Sequence, residues 1–226
     1  MKTNSNFSLL PLALVCALAA CASPARAQRT DSSSSAAAPA ADTVAQPAAP
    51  LPAKPVADKL APAGWTRYEV GEPARFSLLL PGEPMAKVDR VTIIPGVVAS
   101  TRTYLSVTGS GVYGVSYLDK LPAALRDDTQ KRAFFAGYTK EFAEGFQAGM
   151  KNRGLTVSLT MLEQRAASVD GLAGYEQDFS YGNVMGRMRL VFDAGSAYAV
   201  VAVWKGLSSD GEISAFFESL KVNTKR

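Results

Sequence analysis

The 226-residue sequence predicts an α+β fold, an antiparallel sheet carrying two helices. Three observations predict it. Two successive hairpin patterns run across residues 175–204, a long amphipathic helix pattern covers 127–154, and a short one covers 211–221. None of them specifies a reaction.

The hairpins are the best-defined part of the chain. Tyr175, Gln177, Phe179 and Tyr181 alternate with Glu176, Asp178 and Ser180, the period-2 pattern of a strand with one buried face. Gly182-Asn183 supplies a two-residue turn with glycine at its first central position, as a type II′ turn requires. That turn sets Tyr181 opposite Val184, Asp178 opposite Arg187 and Glu176 opposite Arg189. Two opposite-charge pairs then share one face, which favours this register. The other face pairs Tyr175 with Leu190 and Gln177 with Met188 as core. After a turn at 193–196, the run 198–204 is apolar at both parities, so it is expected to be buried on both faces. Ser209 and Glu212 form a capping box, and Ile213, Phe216, Phe217 and Leu220 make one helical stripe that packs on the sheet.

Upstream, the chain opens with an export pattern. Lys2 gives a positive start, and residues 7–20 are apolar but too short to span a bilayer. Leu18-Ala19-Ala20-Cys21 resembles the bacterial lipobox, in which Cys21 becomes the lipidated first residue. Ala25-Arg26-Ala27 offers a competing A-x-A site with cleavage before Gln28, which would give a soluble periplasmic or secreted form. The lipobox is favoured, because small residues precede Cys21 at the end of the apolar run. The only other cysteine, Cys16, lies inside that run, so the mature domain has no thiol pair to oxidise. The expected organisation is a lipoprotein signal peptide at 1–20, an Ala/Pro/Ser-rich tether at 21–63 and a single domain at 64–226. From Gln28 onward the tether, roughly 36 residues, reaches roughly 30–36 Å as a flexible coil and roughly 110 Å as polyproline II.

Inside the domain, strands are expected at 65–70, 75–80, 86–94, 97–107 and 112–118, with Pro95-Gly96 and 108–111 as turns. Asp127 and Gln130 form a capping box for the long helix, and Gly154 ends it. Phe135, Tyr138, Phe142 and Phe146 make its apolar face, with Gly145 and Gly149 on the same side for close approach to the sheet. A further strand is expected at 155–165, leading to the Asp170-Gly171 turn.

Composition excludes much chemistry. The chain has no histidine, so Ser-His-Asp and Cys-His sets and imidazole metal sites are impossible. Net charge is +4 overall, but 64–226 holds 19 basic and 17 acidic residues, a net of +2, without a patch able to neutralise several phosphates. Lys131-Arg132 and Lys151-Asn152-Arg153, its densest basic spots, read as solvated surface. Gly109, Gly111 and Gly114 match G-x-G-x-x-G but lie between strand patterns, where a hairpin turn fits and a dinucleotide site does not. Asp127-Asp128 reads as a helix cap. Glu176 and Asp178 are the best-placed carboxylate pair, but a carboxylate held by arginine is a poor general acid. The expectation is therefore no catalytic residue, no cofactor and no metal.

Two segments carry a family resemblance: Phe76-Ser77-Leu78-Leu79-Leu80-Pro81-Gly82-Glu83-Pro84 and Phe216-Phe217-Glu218-Ser219-Leu220-Lys221. With the order of elements, they resemble the Mog1/PsbP-like fold over Gly64 to Val222, and bacterial DcrB-like lipoproteins are similar in layout. The resemblance implies an α/β/α three-layer domain, its antiparallel sheet sandwiched by helices. It also implies accessory or assembly factors that bind larger protein partners. No family site residue carries over, and the histidines available for metal binding in some PsbP proteins are absent. The expected function is a non-catalytic, protein-binding envelope lipoprotein. Its partner would be an envelope protein, its membrane contact the lipid on Cys21, and nucleic acid no partner. Ala22 after the cysteine points, by resemblance to enteric sorting, to the outer membrane on its periplasmic side. The alternative is a small-ligand carrier or enzyme using a pocket between the long helix and the sheet.

Overall fold

The computed structural model describes residues 49–94, 97–109, 111–119, 121, 125, 127–152, 154–205 and 210–223. The expected signal peptide, Cys21, the tether up to residue 48 and the capping residue Ser209 lie outside the described residues. In chain order the strands are β1 (Ala53–Val56), β2 (Trp65–Val70), β3 (Phe76–Pro81), β4 (Met85–Ile94), β5 (Val97–Val107) and β6 (Gly111–Asp119). Helix α1 (Asp128–Lys151) follows, then β7 (Thr160–Val169), β8 (Leu172–Tyr181), β9 (Val184–Asp193) and β10 (Ser196–Lys205). Helix α2 (Asp210–Glu218) and the two-residue β11 (Lys221–Val222) complete the fold.

The strands form two antiparallel sheets. The larger has the order β4-β5-β6-β10-β9-β8-β7 and the smaller β1-β2-β3-β11. Strand β10 is the seam between two cores. Ala197, Ala199, Val201 and Val203 belong to the core under α1, and Tyr198, Val200 and Ala202 to the core on the opposite face. Its apolar residues at both parities are thus used on both sides, as expected.

The three layers differ from the expected helix-sheet-helix sandwich. One face of the large sheet is covered by α1, but the other is covered by the small sheet together with α2. Sequence alternation in β2 and β3 identifies strands that bury Tyr68, Val70, Phe76, Leu78 and Leu80. It does not say which sheet they join, and here they form their own.

The folded part also begins earlier than expected, because β1 lies within the stretch read as tether. Ala53 pairs with Val70 and Val56 with Arg67. Gly71 N–H donates to Pro52 O (2.9 Å), Tyr104 Oη donates to Leu51 O (2.9 Å), and Arg67 Nε donates to Asp58 Oδ2 (2.6 Å). Half-buried Ala53 and Val56 give no apolar stripe to read, and Pro55 suits an edge strand. Backbone pairing and polar clamps fix this segment.

At the other end, the second helix stops at Glu218 and does not run on to Lys221. Ser219 Oγ donates to Phe216 O (2.7 Å) and accepts from Leu79 N–H (2.9 Å), tying the helix end to β3. Lys221 then pairs with Ser77 and Val222 with Phe76. Buried Phe216 and Phe217 dock this helix, each contributing about 1.5–3 kcal/mol relative to an exposed ring.

Helix α1 begins and ends as its sequence requires. The Asp127 carboxylate accepts from Gln130 N–H (2.8 Å). Gly154, at φ +75°, closes the C-terminus in a Schellman pattern, with Leu155 N–H donating to Met150 O (3.0 Å) and Gly154 N–H to Lys151 O (2.9 Å). Phe135, Thr139, Phe142, Phe146 and Met150 are its buried residues, while Tyr138, Gly145 and Gly149 are half-buried. Strand β7 starts at Thr160, five residues later than expected, since 155–159 carry no regular structure.

Candidate functional site

The densest arrangement of charge lies on β7, β8 and β9, on the face turned toward α2. The Gly182-Asn183 turn sets the predicted register: Asp178 opposite Arg187 and Glu176 opposite Arg189. Gly182 has φ +56°, as the first position of a II′ turn needs. Arg187 Nε donates to Asp178 Oδ1 (2.6 Å), and Arg189 Nε donates to Glu176 Oε2 (2.8 Å).

Two further residues complete the cluster, and both were missed from sequence. Arg165 of β7 donates from Nε to Glu176 Oε1 (2.8 Å) and from Nη2 to Asp178 Oδ2 (2.9 Å). A signal for it existed: the Asp170-Gly171 turn pairs Val169 with Leu172, which counts back to Arg165 opposite Glu176. Phe217 of α2 lies over both other arginines, 5.1 Å from the Arg189 guanidinium carbon and 5.8 Å from that of Arg187. Such contacts contribute about 0.5–1 kcal/mol or more each as the site becomes drier.

This face is more enclosed than a solvated ladder. Glu176 is only 6% exposed. Burial pushes the Asp178 carboxyl up, but hydrogen bonds from Arg187 and Arg165 outweigh it and hold the group below the usual aspartate range. For Arg165, burial works against the charged form, and the bonds to Asp178 and Glu176 more than restore it. All four carboxylate oxygens accept from guanidinium groups. The arrangement is suited to joining three strands to α2, and it leaves no carboxylate edge facing a substrate.

The other sequence-predicted positions are spread over the molecule. Asp127 caps α1, and its neighbour Asp128 accepts from Tyr175 Oη (2.5 Å), whose hydroxyl proton is held above its usual range by burial and that acceptor. The glycine triplet lies at the β5–β6 hairpin, where Thr108 N–H donates to Gly111 O (2.8 Å). Lys131 and Arg132 lie over the rings of Phe192 and Tyr175, both at 5.7 Å, and Lys151 is in the last turn of α1. Among the described residues no three His, Cys, Asp or Glu side chains group to hold a metal, and no helix is long and apolar enough to cross a membrane.

A second, smaller charge group sits where β3 and the large sheet meet. Arg75 Nη1 donates to Tyr117 Oη (2.8 Å), and Tyr117 Oη lies 3.4 Å from Ser196 Oγ. Asp119 Oδ2 is 3.9 Å from Arg75 Nη1 and 3.8 Å from Arg102 Nη1.

No protein-family model matches the chain, and no curated protein matches it in sequence. Among solved structures, the fold is similar to the solution structure of cyanobacterial PsbP (CyanoP) from Synechocystis sp. PCC 6803. That match has 13% identity and a TM-score of 0.46, and covers 74% of this chain and 98% of the other. Likeness at this level says nothing about activity or partner, and it does not bear on the DcrB-like lipoprotein layout.

Proposed function

We propose that the protein is an exported, lipid-anchored, non-catalytic accessory factor that presents a surface to a protein partner in the bacterial envelope. The observation that carries the non-catalytic part is the occupied charge cluster. The carboxylates best placed for acid–base chemistry, Glu176 and Asp178, have every oxygen engaged by Arg165, Arg187 and Arg189. The competing reading places a ligand pocket between α1 and the sheet. That space holds interlocked rings, with Phe142 at 5.1 Å from Phe179, Phe135 at 5.8 Å from Tyr175 and Phe146 at 5.8 Å from Tyr181.

The tether supports the adaptor part of this reading. A lipid-held domain set behind the Ala/Pro/Ser-rich stretch 28–48 would meet its partners at raised effective concentration, an advantage that a small-molecule enzyme would not need. The test is in-cell cross-linking with mass spectrometry, run beside a variant lacking residues 28–48. The expected result is enrichment of an envelope protein by the full chain and reduced enrichment by the variant. Enrichment of no protein, together with turnover or tight binding of a small metabolite, would overturn the reading.

A further inference from the structure

Arg102 of β5 differs from the clustered arginines of the same sheet. Its side chain is 11% exposed, yet its Nε and Nη1 are buried without a hydrogen-bond acceptor among the described residues. Arg165, Arg187 and Arg189 each donate to a carboxylate at 2.6–2.9 Å through at least one nitrogen. Asp119 Oδ2, the acid beside Arg102, is 3.8 Å from Nη1, beyond hydrogen-bond reach. The same oxygen is 3.9 Å from Arg75 Nη1, so one carboxylate forms long ion pairs with both guanidinium groups, each beyond direct hydrogen-bond distance. Tyr117 and Ser196 add two hydroxyls beside Arg75.

Among the described residues the group has two positive charges to one negative, and Arg102 brings two nitrogens without an acceptor. A buried charged donor without an acceptor is costly, and native proteins supply one from water, an ion or a ligand. Access is open on one side, since the side chains of Arg75 and Asp119 are 46% and 23% exposed. Register places Arg102 opposite Tyr117, on the face of the large sheet turned to the small one.

We propose that Arg75 and Arg102 seat a small oxyanion, a carboxylate or phosphate group, at the mouth of the space between the two sheets. Its oxygens supply the acceptors Arg102 lacks, and a single negative charge balances the surplus. Guanidinium groups are well matched to both anion types. Asp119 competes with the anion and holds the two arginines near each other without it. This site is independent of the partner-binding reading.

The test is titration of the full-length chain in neutral detergent at low salt with inorganic phosphate, and separately with acetate. Binding is read from the arginine Nε–H resonances in NMR spectra. Saturable shifts at Arg75 and Arg102 are expected, with phosphate or acetate preference telling the anion class. Arg75→Gln is expected to weaken binding about tenfold or more, with the Arg187 and Arg189 resonances reporting an intact fold. Asp119→Asn, which removes the competing charge, is expected to tighten it. Shifts that grow without saturating for both anions overturn the proposal and leave water as the acceptor. So does an Arg75→Gln variant that titrates like the parent, or weaker binding by Asp119→Asn.

Discussion

The ring of Phe179 occupies the space that a Cβ on Gly186 would need, the two being cross-strand partners on β8 and β9. Phe179 in turn meets Phe142 of α1 at 5.1 Å, so the glycine lets an aromatic ring fold down between sheet and helix. Gly186→Ala is expected to cost about 1–3 kcal/mol through overpacking. Gly137→Ala on α1, where a Cβ meets nothing within 4 Å, is expected to gain about 0.5–1 kcal/mol. Urea unfolding at unchanged m checks both, and a neutral Gly186→Ala contradicts the close approach.

Reversing the Glu176–Arg189 pair is not expected to be neutral, because an arginine at 176 would face Arg165. Arg189→Met is expected to cost about 1–3 kcal/mol, since buried Glu176 keeps Arg165 alone and Phe217 loses a cation. Lys140→Met, at the exposed pair with Glu144, is expected to stay within about 0.5 kcal/mol. Equal effects at the two sites would mean that the cluster is no more than a surface ladder.

Asp178 should leave a signature in acid. Its folded-state carboxyl lies below the usual range, because the bonds from Arg187 and Arg165 outweigh burial. Between that value and the ordinary one near 4, the unfolded chain binds the extra proton, so this stabilisation is full above about pH 4 and is lost as pH falls through the folded value. Asp178→Asn is expected to flatten the acid side of the stability–pH curve below about pH 4. Superimposable slopes for parent and variant would remove Asp178 from the account.

Removing β1 is expected to matter, although its residues look like linker. A chain starting at residue 64 loses the Ala53–Val56 pairing, the Tyr104–Leu51 bond and the Arg67–Asp58 pair. It should be less stable than one starting at 49 by about 2–4 kcal/mol, counting about 1 kcal/mol for each of a few hydrogen bonds. Matching melting temperatures for the two chains would show that β1 is dispensable.

Cys21 is expected to be the first residue of the mature protein and to carry the lipid. Several acyl chains give stable attachment, where one is marginal. Intact-mass measurement of protein purified from membranes checks this. A mature start at Gln28 without added lipid mass rules it out.

The sequence was most legible where covalent neighbours set geometry. Gly182-Asn183 and the paired charges fixed the β8–β9 register, and Asp127 and Gly154 marked the limits of α1. Contacts between distant segments were not legible. Nothing local tells Tyr198 of β10 that it will face Tyr117 of β6, or assigns Phe76 and Leu78 to a separate sheet. Arg165 was intermediate: its register was readable from a turn, but the expected strand ended on it and 166–169 were left out. The Arg75–Arg102 group lay beyond any pattern, because it is assembled from β5, β6 and the residue before β3.

The seam at β10 sets an order of events during synthesis. Leu118 on β6 must wait for Ala197, and both cores lack their central strand until residues 196–205 have emerged. A nascent chain that has made β4, β5 and β6 therefore shows an open β6 edge while α1 and the next three strands are still being added. Such non-local pairing folds slowly and exposes sticky intermediates. A chain cut short after β6 and before β10 is therefore expected to expose that unpaired edge and to aggregate.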